Sequence, residues 1–348
     1  MSSVLRSHWL RGGVVVAGLA AVVSLFWWRG PDWHTVGDAF TAVAWQWVAI
    51  AIGFNLLSVV ARSIAWTQVI DAAIPKPRPR FRSIFSAFSV GLMANAVLPG
   101  RIGELARVAV LVRKLPRRKG LWATLVGTVF AHRVFDLAPV VVLILYVLIT
   151  AKIPAWATTS LVVAVAAGIA LFAFAFASAK LPHSTRLDGL GSVRRVLVMA
   201  RQGLGVMRIG PRAAAAILFQ MLGWLCQLLA VYTAMRAFGI HSPLPAAGLV
   251  LVLMNVATIF PLWPGNVGLV QAAIALPLTQ YGVAYGRGVA YGFGLQAIEA
   301  SVGVGVGLIF LAREGLSLAM LRVMPGAEQA DQASPEAIDE PERARVPG

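Results

Sequence analysis

Long stretches of apolar residues, each close to the length of a bilayer-spanning helix, dominate this sequence. A helix needs about 20 mostly apolar residues to cross the hydrocarbon core of a bilayer. Charged residues make up only 13% of the chain, too few to cover the surface of a soluble protein of 348 residues. The sequence therefore predicts an all-α integral membrane protein. The apolar stretches cover residues 12–28, 43–61, 121–150, 155–179, 213–235 and 288–312.

Basic residues cluster in three short segments between these stretches, at 76–82, 113–119 and 186–212. Lys and Arg are enriched in cytoplasmic loops of membrane proteins, so these segments predict the cytoplasmic side. With this assignment both chain termini are cytoplasmic, and we expect the protein in the plasma (inner) membrane. The net charge of +16 comes from these loops and not from a basic face on a soluble domain, so nucleic acid is not an expected partner.

Two segments are predicted to form helical hairpins instead of single spans. Residues 84–112 consist of two short apolar arms around Pro99-Gly100, with basic residues on both flanks, so both ends belong on the cytoplasmic side. Residues 244–281 contain no charged side chain and are interrupted at Pro264-Gly265. Charge placement requires this second hairpin to enter from outside, and whether its first arm crosses fully stays open.

The predicted elements form an inverted repeat of span, span, hairpin and span, with about six spanning helices in all. Both hairpins carry the pattern Pro-Gly-x-x-Gly, at positions 165 apart (264 − 99). Paired breaks in two oppositely oriented halves are typical of the central site of a transporter. The first half, 1–152, has spans at about 12–28, 43–62 and 121–150 and the hairpin at 84–112. The second half, 153–323, has spans at about 155–179, 213–237 and 288–312 and the hairpin at 244–281, followed by a disordered acidic cytoplasmic tail at 324–348.

A Pro-Gly break inside the membrane leaves backbone groups that need polar partners. Pro removes an amide donor and Gly admits unusual dihedral angles, so the helix ends there. The second arm of each hairpin then offers a helix N-terminus, which suits an anion such as phosphate. The alternative interpretation is an ordinary kink, which membrane helices tolerate.

Charged residues within the predicted membrane segments are candidates for the site. Glu104 and Arg107, and again Arg133 and Asp136, lie three positions apart and so share a helical face. A charge at mid-membrane costs about 2.5–3.5 kcal/mol on insertion scales, so we expect both pairs to face the interior. Arg101, in the first break, is the best candidate for holding a phosphate. Arg133 and Asp136 are alternatively a structural pair that locks a hairpin to a span.

Two further charged residues lie in the predicted spans. Glu299 in the last span and Arg62 in the second are further candidates. Arg62 lies near a predicted cytoplasmic end, where we expect it to reach toward the headgroups. The five histidines show no metal-binding spacing and no nucleophile or nucleotide-binding motif is present, so we expect neither an enzyme nor a cofactor.

Three segments resemble a known family. Residues 95–107 (NAVLPGRIGELAR), 132–136 (HRVFD) and 261–271 (PLWPGNVGLVQ) are similar to motifs of the lysylphosphatidylglycerol synthase transmembrane, flippase-like (UPF0104-type) family. The resemblance covers roughly residues 10 to 320 and implies lipid translocation without lysyl transfer, because the soluble transferase domain is not part of this sequence. His132 and Gln271 stand where family members often have Glu, so a proton-coupling role is not carried over to them.

Our leading hypothesis is a translocator of an anionic phospholipid or of a polyprenyl-phosphate-linked glycan. The alternatives are a non-transporting partner or regulator of a lipid or glycan synthase or glycosyltransferase, and an exporter of a small solute. Expected partners are membrane lipids, such a synthase or glycosyltransferase, and a second copy of the chain. The predicted substrate-binding residues are Asn95, Pro99, Gly100, Arg101, Gly103, Glu104, Arg107, Arg133, Asp136, Pro264, Gly265, Asn266, Gly268 and Gln271.

Overall fold

The computed structural model describes residues 32–98, 102–116, 120–154, a few positions between 158 and 170, 210–258 and 266–316. In this part of the chain all regular secondary structure is helical. The predicted span at 12–28, most of the one at 155–179 and the tail at 324–348 lie outside the described residues. The helices are α1 (Trp33–Thr41), α2 (Trp45–Ala73), α3 (Phe81–Val97), α4 (Gly103–Val112), α5 (Leu121–Thr150), α6 (Gly210–Ala237), α7 (Leu244–Ala257), α8 (Leu269–Leu278) and α9 (Tyr285–Arg313).

Four of these helices, α2, α5, α6 and α9, are long and apolar enough to cross a membrane. With 28 to 30 residues each, they are about 42–45 Å long, more than the roughly 30 Å hydrocarbon core of a bilayer. The chain is therefore a multi-pass membrane protein. α3 and α7 are shorter apolar helices, and each is followed across its Pro-Gly break by a ten-residue helix, α4 or α8.

The helix predicted at 43–62 continues to Ala73, because its polar side chains bond within the helix. The Ser63 hydroxyl donates to the carbonyl of Val59 at 2.8 Å, and the Thr67 hydroxyl donates to the carbonyl of Ser63 at 2.8 Å. Hydroxyl groups satisfied in this way are tolerated inside membrane helices. The apolar pattern alone therefore ended this span too early.

A short helix, α1, lies in the segment between the spans predicted at 12–28 and 43–62. Asp32 caps it, because its carboxylate accepts from the backbone N–H of His34 and from the hydroxyl of Thr35, both at 3.0 Å. An aspartate at this position is a common start signal for a helix. α1 packs against the beginning of α9, where Gly286 lies close to Thr35.

The two hairpins pack against opposite ends of the long helices. The first hairpin, α3–α4, shares a buried apolar core with the C-terminal half of α2, the N-terminal half of α5 and the C-terminal half of α9. The second hairpin, α7–α8, shares another core with α1, the C-terminal halves of α5 and α6 and the N-terminal half of α9. Each hairpin is thus associated with a different half of the bundle.

Both hairpins place the start of their second arm well inside the bundle. Glu104, in the first turn of α4, contacts Arg133, which lies 12 positions or about 18 Å along α5. Gln271, in the first turn of α8, bonds to Gln296, which lies 11 positions or about 17 Å along α9. The first turns of α4 and α8 therefore lie at similar depths, reached from opposite ends of the bundle.

Glycines permit the closest helix contacts. A Cβ at Gly288 of α9 would lie 2.9 Å from both Cα and Cβ of Ala275 in α8. A Cβ at Gly307, at the other end of α9, would lie 2.7 Å from the carbonyl oxygen of Ser89 in α3. α9 therefore holds one hairpin at each end by close backbone approach, as is common in membrane helix packing.

Replacing Gly288 by Ala should lower the thermal midpoint of the detergent-solubilised protein, because the added methyl group must push α8 away from α9. Overpacking of this kind costs about 1–3 kcal/mol. Gly303, on the same helix, has nothing within 4 Å of an added Cβ, so Gly303→Ala is the matched control and should leave stability unchanged or slightly raised. Equal effects of the two substitutions would contradict this packing.

Candidate functional site

A chain of four alternating charges joins the first hairpin to α5. Arg133 donates to the carboxylate of Glu104 through Nη2, and through Nη1 to Oδ2 of Asp136 at 3.3 Å. Arg107 Nη2 lies 2.5 Å from the second oxygen of Glu104. The structure therefore connects the two pairs that spacing predicted, because Glu104 stands between two arginines.

Asp136 also binds α6, a contact that the sequence did not suggest. Its Oδ1 accepts from the amide of Gln220, and from the indole N–H of Trp224 at 2.9 Å. Both oxygens of Asp136 thus have donors, and α6 is tied to α5 in the same network. A buried carboxylate satisfied by several donors is stable in its charged form only while these donors stay in place.

Arg107 is buried, with 4% of its surface exposed. Its guanidinium lies over the rings of Trp66 and Phe88, at 4.8 Å and 5.6 Å from the ring centres. Trp66 is fixed in turn by a hydrogen bond from its indole N–H to the hydroxyl of Thr128 at 3.2 Å. Cation–π contacts of this kind stabilise a desolvated cation, so Arg107 is held rigidly.

Arg62 does not reach toward a membrane surface as the sequence analysis expected. Since α2 continues to Ala73, Arg62 lies 11 positions from its end, and its guanidinium stacks over Trp224 at 5.0 Å. Gly223 makes room for it, because a Cβ there would lie 2.8 Å from Cγ of Arg62. Arg62 therefore faces the interior of the bundle.

These side chains line one pocket between the first hairpin, α2 and α5. Its empty volume, including the open mouth, is about 350 Å³. Three arginines and two carboxylates line it, so the lining carries one positive charge in excess, with His132 counted as neutral. The lining residues are Arg62, Phe88, Gly91, Leu92, Asn95, Gly103, Glu104, Arg107, His132, Arg133 and Asp136.

Three nitrogen atoms in this pocket are buried and, within the described residues, make neither a hydrogen bond nor an ion pair. They are Nε of Arg62, Nε of Arg107 and Nδ1 of His132. Buried polar groups are nearly always hydrogen-bonded to protein, water or a ligand, so such groups in a pocket mark a place where water or a ligand binds. The two arginine nitrogens are donors only, so the matching ligand is a hydrogen-bond acceptor, and the excess positive charge favours an anion.

Arg133 forms the exposed side of the pocket. Just over half of its side chain (53%) is exposed although it lies at membrane depth. A charge facing hydrocarbon at this depth is costly, so Arg133 must meet either a watery cavity or an anionic headgroup. The pocket is therefore open where Arg133 lines it.

The remaining predicted residues of the first hairpin hold its shape. The backbone N–H of Gly103 donates to the side-chain oxygen of Asn95 at 2.9 Å, which closes the hairpin across the break. A Cβ at Gly91 would lie 2.8 Å from the carbonyl oxygen of Gly103, so the two arms cross closely. The break itself, Pro99-Gly100-Arg101, lies outside the described residues.

The second hairpin has a matching contact but no charge. The N–H of Gly268 donates to the side-chain oxygen of Gln271 at 2.6 Å, and Gln271 donates to Gln296 at 2.7 Å. Asn266 is buried, has a positive φ of 44°, and donates to the carbonyl of Ala257 at 2.9 Å. Pro264 and Gly265 lie outside the described residues. Around this break Asn266, Gln271 and Gln296 each have a hydrogen-bond partner among the described residues.

Sequence reasoning missed three contributors to the first site: Phe88, Gln220 and Trp224. Arg62 was named as a candidate but was misplaced by the early end of its predicted span. Of the missed residues, Gln220 could have been identified from the sequence, because a lone amide in an apolar run needs a polar partner inside the membrane. Nothing in the pattern separated Phe88 or Trp224 from ordinary apolar packing residues.

Comparison with known proteins places this arrangement in a wider group. Residues 13–307 match the sequence model of a family described as the lysylphosphatidylglycerol synthase TM region. A UPF0104 membrane protein of Pyrococcus horikoshii is 25% identical over 129 residues, which are 37% of this chain and 37% of that protein. The matched stretch thus spans only about a third of this relative's length. No solved structure matches the chain.

Substituting Glu104 by Gln should strongly destabilise the protein, because Arg107 and Arg133 both lose their shared counter-charge. Breaking a buried ion pair by removing one partner costs about 3–5 kcal/mol. Adding Arg107→Met to the same chain should restore part of the loss, since the uncompensated cation disappears. The thermal midpoint in detergent measures both effects, and the exposed-site variant Asp38→Asn is the control. A Glu104→Gln midpoint equal to that of the control would contradict the charge chain.

Proposed function

This chain belongs to the lysylphosphatidylglycerol synthase TM-region family, and we propose that it translocates an anionic lipid across the plasma membrane. The substrate class is an anionic phospholipid or a polyprenyl-phosphate-linked glycan. The chemistry that these lipids share is a phosphate group at the base of the headgroup. The chain's own role is to bind, orient and pass this headgroup, without a catalysed reaction.

The observation that carries this proposal is the set of unbonded buried donors in a pocket with excess positive charge. Nε of Arg62 and Nε of Arg107 are donors without partners among the described residues, whereas both carboxylates of the pocket already have partners. A phosphate oxygen accepts such hydrogen bonds, and its negative charge balances the lining. Arginine is well suited to phosphate because its donors have fixed geometry.

The position of the opening suits a lipid better than a water-soluble solute. Arg133 is exposed on the side of the bundle about 18 Å along α5, at a depth where the acyl chains of a lipid would lie beside the protein. A headgroup could therefore enter past Arg133 while its tails stay in the bilayer.

The opposite placement of the hairpins supports an inverted repeat with alternating access. The first hairpin forms a charged pocket in the half of the bundle that the positive-inside rule makes cytoplasmic. The second hairpin lies in the other half, where Asn266, Gln271 and Gln296 are bonded and uncharged. In our proposal the first hairpin receives the headgroup and the second closes the outer half until the two exchange roles.

Reconstitution tests this proposal directly. Vesicles with the purified chain should flip a fluorescent phosphatidylglycerol or a short polyprenyl-phosphate lipid faster than empty vesicles, as measured by reduction of the outer-leaflet label. Arg62→Gln should lower the flipping rate by about tenfold or more, the loss expected for one charge-assisted hydrogen bond. Arg133→Gln should act in the same direction, since it removes the charge at the opening.

The matched control is Arg287→Gln, which removes an exposed arginine near the start of α9, away from the pocket. It should leave the flipping rate within about twofold, the range expected for a surface substitution. If the wild-type chain accelerates neither lipid, the translocator is wrong, and a non-transporting partner of a synthase or glycosyltransferase becomes the better account. Equal rates for Arg62→Gln and Arg287→Gln would overturn the assignment of the pocket.

A further inference from the structure

A further carboxyl group, that of Glu299, lies at mid-membrane, outside the pocket. Glu299 is 14 positions along the 29-residue helix α9, and its Oε1 accepts from the amide of Gln227 in α6 at 2.7 Å. The charge chain around Glu104 does not include it. An ionised carboxylate at this depth is costly without a cationic partner, so the nearest cation decides its chemistry.

That cation is Arg62. Arg62 lines the pocket and contacts α6 at Gly223 and Trp224. Gln227, which binds Glu299, lies four and three positions further along the same face of that helix. Trp224 holds Arg62 from one side by stacking, and Gly223 of the same helix leaves space for its stem. Arg62 therefore stands between the anion pocket and Glu299, and its charge is available to both.

Charge counting shows the consequence. The pocket lining has three arginines and two carboxylates, an excess of one positive charge. An ionised Glu299 next to Arg62 cancels this excess, whereas a protonated Glu299 leaves it in place. An anion in the pocket and a negative charge on Glu299 thus compete for the same guanidinium, and competition of this kind couples the two binding events reciprocally.

We propose that Glu299 is a proton-binding site linked through Arg62 to the anion pocket, so that binding of the anionic headgroup is accompanied by proton uptake at Glu299. This inference rests on the proposed function and adds its coupling ion. A headgroup phosphate and a proton would then be carried together. The proton gradient would give the transport cycle a direction without nucleotide hydrolysis.

Few other titratable groups act on Glu299 in the described part of the chain. α3 contributes Arg82 only in its first turn, and α8 has no ionisable residue. α1, which carries His34 and Asp38, packs at the start of α9, far along α9 from Glu299. The groups that surround Glu299 or Arg62 are Tyr291 on α9, Cys226 on α6, and Asp136 and Arg133 on α5.

His132 is the competing explanation, because it is titratable and lines the pocket. Protonation of either residue would strengthen anion binding at low pH. Substitution separates them: His132→Asn removes one titrating group and Glu299→Gln removes the other while keeping similar size. Asp38→Asn, at an exposed position of α1, is the matched carboxyl-to-amide control.

The experiment measures binding of short-chain phosphatidylglycerol to the full chain in detergent between pH 5 and pH 8. This phosphodiester keeps one negative charge throughout, so its own titration does not contribute. Wild-type affinity, followed by tryptophan fluorescence, should rise about tenfold from pH 8 to pH 5, as one unit charge acting across a few side chains predicts. A pH indicator in weak buffer should record proton uptake on binding.

Glu299→Gln should bind with an affinity independent of pH and without proton uptake. His132→Asn changes the pocket and so its affinity can change, but its affinity should still rise toward low pH with proton uptake, whereas Asp38→Asn should match the wild-type chain in both affinity and pH dependence. If Glu299→Gln does not fold, proton uptake measured on the wild-type chain and on His132→Asn decides the question, because uptake that survives the loss of His132 cannot come from that residue. Binding of equal affinity at both pH values, or pH dependence that Glu299→Gln retains or His132→Asn abolishes, would overturn the linkage and leave the pocket intact. Absence of binding at every pH would overturn the pocket as well.

Discussion

The ionised carboxylate of Glu104 is the constraint on which the rest of the site depends. It stands between Arg107, on its own helix, and Arg133, on α5, and so fixes how deep the broken hairpin reaches into the bundle. Charges at this depth are stable only as a connected set, and Asp136 extends the set to α6. These charges and Arg62 of α2 together line the pocket.

Close backbone contacts complement the charges. Gly91 and Gly103 allow the two arms of the first hairpin to cross, and Gly288 and Gly307 bring α9 against both hairpins. The two hairpins then occupy opposite halves of the bundle, with the first turns of α4 and α8 at similar depths. One break adjoins a charged pocket and the other a set of bonded amides, and this difference distinguishes the two halves chemically.

Much of this could be predicted from the sequence, and the exceptions have physical reasons. Length and charge predicted the membrane class and the shorter apolar helices on either side of each Pro-Gly break. The i,i+3 spacing predicted the inward direction of the Glu104 and Arg133 pairs. Spacing within a helix cannot show which pairs meet, so the link from Glu104 to Arg133 was not predicted. Arg62 was misjudged because Ser63 and Thr67 look like the end of a span but bond within their own helix.

The central claim is that a phosphate-bearing headgroup enters this pocket. An experimental structure of the full chain in a phosphatidylglycerol-containing nanodisc tests this claim most directly. The account predicts headgroup density within hydrogen-bond distance of Nε of Arg62 and Nε of Arg107, with acyl chains leaving past Arg133. A pocket occupied only by the protein's own side chains, with anionic lipid restricted to the periphery of the bundle, would contradict it.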